Sequence, residues 1–117
     1  GTCVTHSYPE IGTDIGAVKV LRKLVSSGHQ LILWTMRSGK ELKDAEDWFA
    51  DNGIDLYGSN SNPAQKEWTA SPKAYCHMYI ADAALGTPIN YDYRISDRGF
   101  VDWVSVENML IDMSLIK

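Results

Sequence analysis

The sequence predicts an α/β fold in which helices pack on a mainly parallel sheet. Amphipathic helical patterns alternate with short, continuously apolar runs, and glycines follow the first two helical patterns. Apolar runs without polar alternation are typical of strands buried on both faces, as in parallel sheets. With 117 residues, 44% of them hydrophobic, the chain is long enough to build one core. We therefore predict a single domain over residues 1–117.

Three helices are identified by apolar residues at three- and four-residue spacing. They are predicted over residues 14–27, 40–52 and 102–116. Thr13 or Asp14 can cap the first helix through a side-chain oxygen. Gly28 and Gly53 follow the first two helices and can end them in the left-handed conformation.

Four strands are predicted from the apolar runs between these helices. They span residues 30–34, 54–57, 74–81 and 90–95. Residues 58–72 form a polar stretch that predicts a loop with one irregular helical turn. Trp68 is the large apolar side chain of this loop, which makes it a candidate cover for a bound ligand.

Polar residues follow three of the predicted strands. Thr35, Asn60 and Asp82 come after the first, second and third strand respectively. Ligands of parallel sheets bind beyond the carboxyl ends of the strands, so this set has the chemistry of an anion and metal site. A carboxylate such as Asp82 suits magnesium, which prefers oxygen ligands. From position alone, Thr35 can equally cap the next helix, and a lone aspartate after a strand, such as Asp82, is more often a turn former or a helix cap than a metal ligand.

Two basic residues are candidates for binding an anion at the same edge. Arg37 lies in the loop before the second helix, whose amino terminus attracts negative charge. Lys73 precedes Asp82 by nine residues and can reach the end of the third strand. The alternative for both is a solvated surface charge.

Charge and cysteine content exclude several classes of protein. A net charge of -4 argues against broad binding to nucleic acid phosphates or to anionic membranes. The apolar run 31–34 is far shorter than the roughly 20 residues of a membrane span. Two cysteines make no disulfide framework, which favours a reduced, cytoplasmic setting. The spacings of Cys3, His6, Cys76 and His77 match no structural zinc pattern.

Four stretches of the chain together resemble the motifs of a known enzyme family. The sequence resembles the haloacid dehalogenase-like (HAD) phosphohydrolases, in particular the small capless bacterial and phage members. The stretches run in the family's order over nearly the whole chain: Gly-Thr-Cys-Val at 1–4 with Tyr-Pro-Glu-Ile-Gly at 8–12, Leu-Ile-Leu-Trp-Thr-Met-Arg at 31–37, Ser-Pro-Lys at 71–73, and Ile-Ala-Asp-Ala-Ala-Leu-Gly at 80–86.

The resemblance implies a three-layer Rossmann-like fold and magnesium-dependent hydrolysis of phosphate monoesters through an aspartyl-phosphate. It assigns Thr35 and Lys73 to the transferring phosphoryl group and Asp82 to Mg2+. Arg37 and Asn60 are expected to contact the phosphate or the substrate. The family's two catalytic aspartates precede the Gly-Thr pair, so the nucleophile and the first central strand are expected upstream of Gly1.

Two alternatives remain open at this stage. Ala81 occupies the place of the first carboxylate of the fourth motif, so the chain can be a catalytically inactive HAD-like module that binds a phosphorylated ligand or a protein. A receiver-like signalling domain uses similar Asp, Thr and Lys chemistry, but the order Thr35, Lys73, Asp82 follows the HAD motifs. The expected partner is a small phosphorylated substrate. A nucleic acid end is compatible with an open site but disfavoured by the acidic charge, and no membrane partner is expected.

Overall fold

The computed structural model describes residues 1–117 and has an α/β fold with three helices and two small sheets. The helices are α1 (Ala17–Ser26), α2 (Gly39–Asp51) and α3 (Trp103–Asp112). The strands are β1 (Leu31–Leu33), β2 (Leu56–Ser59), β3 (Ile89–Asn90) and β4 (Phe100–Val101). One turn of 3-10 helix, Gln65–Glu67, interrupts the polar loop after β2, as predicted. No helix of the fold combines the length and the apolar character that crossing a membrane requires.

Helix α1 begins where Asp14 supplies an acceptor for the free amides of its first turn. One carboxylate oxygen, Oδ1, accepts from the amides of Gly16, Ala17 and Val18 at 3.1, 2.9 and 3.3 Å. The first amides of a helix have no backbone acceptor within it, so the Asp14 carboxylate serves as their acceptor. At the other end Gly28 adopts a φ of 91°, a conformation that glycine tolerates without steric cost. The predicted first helix is confirmed, slightly shortened.

The core lies between α1 and α3 and extends to the carboxyl end of α2. It is a cluster of twelve buried residues: Ala17, Val18, Val20, Leu21, Leu24, Phe49, Ile54, Val101, Trp103, Val106, Leu110 and Ile116. The α1 and α3 members recur at helical spacing, which is the amphipathic pattern seen in the sequence. Trp103 also donates its indole N–H to the carbonyl of Thr2 at 2.7 Å. This bond ties the first residues of the chain to α3.

The two sheets differ in the relative direction of their paired strands. Strands β1 and β2 are parallel, with Leu31 opposite Leu56 and Leu33 opposite Ser59. Strands β3 and β4 are antiparallel. Every residue of β1 is apolar, yet none is fully buried, and β1 pairs with β2 alone. The α/β class is therefore confirmed, and the parallel part of the structure is a single pair of strands.

The predicted strand over residues 74–81 is wrong, because no strand forms there. The polar groups of this segment bond to nearby loop atoms instead of to a neighbouring strand. The amide of Tyr75 donates to the side-chain oxygen of Gln65 at 2.6 Å, and the Tyr79 hydroxyl donates to the Ala74 carbonyl at 2.6 Å. The alternation follows burial at Ala74, Cys76 and Ile80 but not at Met78, which is 42% exposed, and no strand pairing accompanies it.

The predicted strand over residues 90–95 is also largely wrong, because only Asn90 belongs to a strand. Asp92 turns the chain immediately afterwards. Its carbonyl accepts from the amides of Ile95 and Ser96, and its carboxylate accepts from the Arg94 amide and guanidinium. These local bonds compete with a ladder, as short acidic side chains commonly do.

Candidate functional site

A groove of about 680 Å3 opens beside β1. Its lining includes the segments 1–8, 30–37 and 78–82, together with apolar side chains from all three helices. Of the 32 residues that line it, 22 are hydrophobic, so the groove is mainly apolar with a few polar groups. Predominantly apolar cavities with few polar groups are typical of binding sites. Thr35, Arg37 and Asp82 are among the sequence-predicted residues that line it.

Thr35 and Asn60 are brought together at the ends of the two parallel strands, as the sequence predicts. The Asn60 side-chain oxygen accepts from the Thr35 amide at 2.8 Å, and the Asn60 amide donates to the carbonyl of Leu33 at 2.7 Å. Asn60 has a φ of 54°, and asparagine is one of the few non-glycine residues that visit this region readily. Asn60 therefore fixes the backbone position of Thr35, and its own side chain does not line the groove.

The Thr35 hydroxyl oxygen accepts from the Arg37 amide at 3.1 Å. This bond uses one lone pair and leaves the hydroxyl proton for another acceptor. Thr35 lines the groove and does not cap α2, because Ser38 is the residue at the start of that helix. A free O–H beside an apolar groove can donate to a ligand oxygen.

The partly exposed Arg37 is held by contacts with protein atoms. Its guanidinium donates to the carbonyls of Pro9, Glu10 and Glu41 at 3.0 to 3.3 Å. The same group lies over the ring of Tyr8, 5.2 Å from its centroid, in a cation-π contact. These contacts give Arg37 a part in holding the segment 8–10 against the loop after β1, and a direct role in phosphate binding stays a prediction.

Asp82 lies against the first residues of the chain. One carboxylate oxygen accepts from the Thr2 hydroxyl at 3.1 Å, and that hydroxyl oxygen accepts from the Asp82 amide at 3.2 Å. The second carboxylate oxygen lies 3.8 Å from His6 Nε2. A Cβ added at Gly1 would overlap the ends of the Asp82 and His6 side chains, so both side chains would have to shift to admit it. The Asp82 side chain retains 35% exposure.

Burial raises the pKa of the Cys3 thiol, in the same corner, to about 12. A thiol is nucleophilic only as the thiolate, so Cys3 is a packing residue and not a candidate nucleophile.

Lys73 lies outside the lining of the groove. Its ammonium nitrogen is 5.7 Å from the centroid of the Tyr79 ring and forms no ion pair with a carboxylate. Trp68 also lies outside the groove and packs edge-on against Tyr75, with ring centroids 5.6 Å apart. Neither residue is placed against Thr35 or Asp82.

Sequence reasoning missed Gln65, the one buried polar residue of the fold. Its side-chain nitrogen donates to the carbonyls of Ser71 and Lys73 at 3.0 and 2.7 Å, and its oxygen accepts from the Tyr75 amide. Burying a side-chain amide costs little free energy when its polar atoms are hydrogen-bonded in this way. A buried polar atom left without a partner costs roughly 1 to 3 kcal/mol. Gln65 thus sets the path of the loop that carries Lys73. A glutamine within a polar stretch carries no sequence signal for this role.

The groove offers a metal ion a single carboxylate ligand, that of Asp82. Asp82 is the only acidic residue that lines the groove, and no group of three ligating side chains occurs in the fold. Magnesium in phosphate-handling sites commonly takes one or two carboxylates and completes its shell with water and phosphate oxygens. The residues present therefore fit one protein ligand to Mg2+ and not a complete cage.

No family model matches the chain, and no curated protein matches it. A solved structure does, that of the conserved protein coded by locus from Bacteroides thetaiotaomicron. The match has a TM-score of 0.78 at 31% identity and covers 97% of this chain and 84% of the solved one.

The chain belongs to the family of that conserved protein. The shared fold extends over nearly all of this chain. The Bacteroides member is described as conserved, without an activity. Family membership therefore supports the fold, and the proposal of function rests on the groove itself.

Proposed function

We propose that this chain forms the phosphate- and magnesium-binding part of a HAD-like phosphohydrolase that acts on phosphate monoesters. In this proposal the core is three-layered and Rossmann-like, and the nucleophilic aspartate lies on a segment that precedes Gly1. The observation that carries the proposal is the presence of Thr35 and Asp82 in the lining of one groove. A hydroxyl donor and a carboxylate in one apolar groove suit a phosphate and its counter-cation.

In this proposal, Thr35 donates its hydroxyl proton to a phosphate oxygen while Asn60 holds the Thr35 backbone in place. Lys73 supplies a positive charge for the same phosphate. Its ammonium has no carboxylate partner to give up, although it must leave the Tyr79 ring to reach the groove. Arg37 supports the site by holding the segment 8–10.

Asp82 would supply the protein oxygen for Mg2+, and water and phosphate oxygens would supply the other positions. When bound, the metal neutralises charge on the phosphate. Thr2 keeps one carboxylate oxygen of Asp82 oriented by a hydrogen bond. Partners of this kind hold a ligand in the geometry that the metal requires.

The apolar part of the groove supports the proposal that an additional strand lies there. Strand β1 has one partner, and its three apolar residues are only half-buried. An unpaired strand edge beside an apolar wall is a template for a further strand. A segment preceding Gly1 that filled the groove would place carboxylates at its end beside the residues that follow β1.

The phosphate site is tested by titrating the chain with inorganic phosphate and with orthovanadate in a calorimeter. Thr35→Val should weaken binding about tenfold, because one hydrogen bond to a charged acceptor is lost. Thr13→Val is the matched control, since Thr13 is exposed and does not line the groove. If the parent chain binds neither anion, the proposed function is wrong.

Catalysis is tested on the full protein, including any residues that precede Gly1. With Mg2+ it should hydrolyse p-nitrophenyl phosphate, and Thr35→Val and Asp82→Asn should each lower kcat/KM at least tenfold. Thr13→Val should leave turnover unchanged.

A second candidate function is supported by Ala81. With alanine at 81, Asp82 is the one carboxylate that lines the groove, and it is already engaged by Thr2. Such a site suits a module that binds a phosphorylated ligand or a protein partner without turning it over. Phosphate binding by the full protein without hydrolysis of p-nitrophenyl phosphate would favour this function over the phosphohydrolase.

A further inference from the structure

Arg98 is the arginine of this chain whose guanidinium has no partner. It is exposed and lines the groove, and its side chain forms neither an ion pair nor a hydrogen bond. The other three arginines are all engaged: Arg22 with the Asn52 carbonyl, Arg37 with three carbonyls, and Arg94 with Asp92. Arg98 thus presents five unused N–H donors at the rim of the groove.

The backbone around Arg98 is well anchored, so its side chain starts from a fixed point. The next carbonyl, that of Gly99, lies 3.1 Å from His6 Nε2. A Cβ added at Gly99 would press on Ile89 and on the Tyr91 ring, so the loop packs closely there. Two residues later, the buried Val101 donates its amide to the Gly1 carbonyl at 2.9 Å.

Arg98 lies near the corner that holds Asp82. The carbonyl of the next residue, Gly99, is 3.1 Å from His6 Nε2, and the same nitrogen lies 3.8 Å from the Asp82 carboxylate. The side chains that line the groove include two arginines and one acid, so their sum is +1, whereas the whole chain has a net charge of -4. Both arginines contribute to this positive charge, but Arg37 spends N–H donors on backbone carbonyls, so Arg98 is the arginine whose donors are all free for an anion.

We propose that the Arg98 guanidinium, at the rim of the groove, donates hydrogen bonds to the non-bridging oxygens of the ligand's phosphate group. This inference rests on the proposed function and adds a phosphate-binding residue that sequence analysis did not find. A planar guanidinium matches two oxygens of one phosphate in a bidentate contact, which an ammonium cannot reproduce. Arg98 would approach from the loop before β4, whereas Thr35 approaches from the end of β1.

The test is a calorimetric titration of Arg98→Gln, Arg98→Lys and Arg94→Gln with inorganic phosphate and orthovanadate. Losing a charged donor pair should weaken binding by Arg98→Gln about tenfold to a hundredfold. Arg98→Lys should recover only part of that loss, because its ammonium is a point charge. Arg94→Gln is the control, since Arg94 lies in the same loop but pairs with Asp92 and does not line the groove. It should bind as the parent does.

Unchanged phosphate affinity in Arg98→Gln overturns the inference. If Thr35→Val weakens binding while Arg98→Gln does not, the proposed function survives and the role of Arg98 is wrong. If Arg98→Gln weakens binding while Thr35→Val does not, Arg98 binds the anion and the proposed role of Thr35 is wrong. A parent chain that binds no phosphate overturns both. Circular dichroism melting of each variant checks that it is folded. For the Arg98 variants an unchanged melting temperature is expected, because this exposed side chain has no partners to lose.

Discussion

Asp82 is the residue on which metal binding by this groove depends, because no other acidic residue lines it. Asp82→Asn keeps the size of the side chain and an oxygen that can accept from Thr2, but removes the negative charge. A hard divalent cation prefers anionic oxygen, so Mg2+ affinity measured by calorimetry should fall at least tenfold.

Asp97→Asn is the control for that measurement. Asp97 is an exposed acid near Arg98 in sequence that forms no ion pair and does not line the groove. Its loss changes the net charge equally, so any general effect of charge appears in both variants. Equal Mg2+ affinity in the parent and in Asp82→Asn would remove Asp82 from the metal site.

The site residues divide according to the range of their contacts. Thr35 and Asn60 could be predicted, because each follows a strand and parallel strands end at one edge. The contacts of Asp82 with Thr2 and His6 join residues about 80 positions apart, and no local pattern encodes such a contact. Arg98 was missed for the same reason, since only the folded chain shows that its guanidinium has no partner.

At the scale of elements, α3 depends on its amino-terminal cap. The carboxylate of Asp102 accepts from the Ser105 amide at 3.1 Å and from the Ser105 hydroxyl at 2.7 Å. Asp102→Ala removes both bonds and leaves an amide of the first turn unsatisfied. Such caps contribute about 1 kcal/mol, so the free energy of unfolding in urea should fall by roughly that amount.

The same cap makes part of the stability depend on pH. Hydrogen bonds from Ser105 hold the pKa of Asp102 below its ordinary value of 3.8. A carboxylate whose pKa is lowered by folding stabilises the protein fully above the unfolded pKa, and this contribution is lost as the pH falls through the folded pKa. Asp102→Asn keeps an acceptor for the amide without this titration. Its stability, relative to the parent, should therefore improve when urea unfolding is measured below pH 3.8 instead of at pH 7. A constant difference between the two proteins would show that Asp102 does not contribute to acid unfolding.

The elements also show where sequence patterns succeed. All three helices form within a few residues of their predicted limits, because amphipathic spacing and the nearby capping residues act within the same segment. The segment 74–81 has strand-like alternation, but a strand also needs a partner. Gln65, nine residues before it, takes the Tyr75 amide instead. The alternation of apolar side chains therefore does not report what the backbone bonds to.

At the scale of the whole molecule, the groove lies between the buried core of the helices and the two-stranded parallel sheet. The helices α1 and α3 contribute most of the buried cluster, whereas β1 is half-buried beside about 680 Å3 of open volume. Apolar surface of this kind is costly to leave in water, at about 25 cal/mol per Å2. Contiguous apolar surface in a groove commonly marks a binding site.

This arrangement predicts that the chain binds an apolar dye such as 8-anilinonaphthalene-1-sulfonate in its folded state. Ile32 lines the groove, so Ile32→Ser should lower the dye fluorescence to about half or less. Val104→Ser is the matched control, because Val104 is exposed on α3 and does not line the groove. If both variants bind the dye as the parent does, the dye binds elsewhere.

A full protein in which a segment preceding Gly1 fills the groove should bind little dye and unfold at higher urea concentration, because that segment pairs with β1 and covers the same apolar wall. Strong dye binding by that protein would mean that the groove stays open and that the proposed additional strand is wrong.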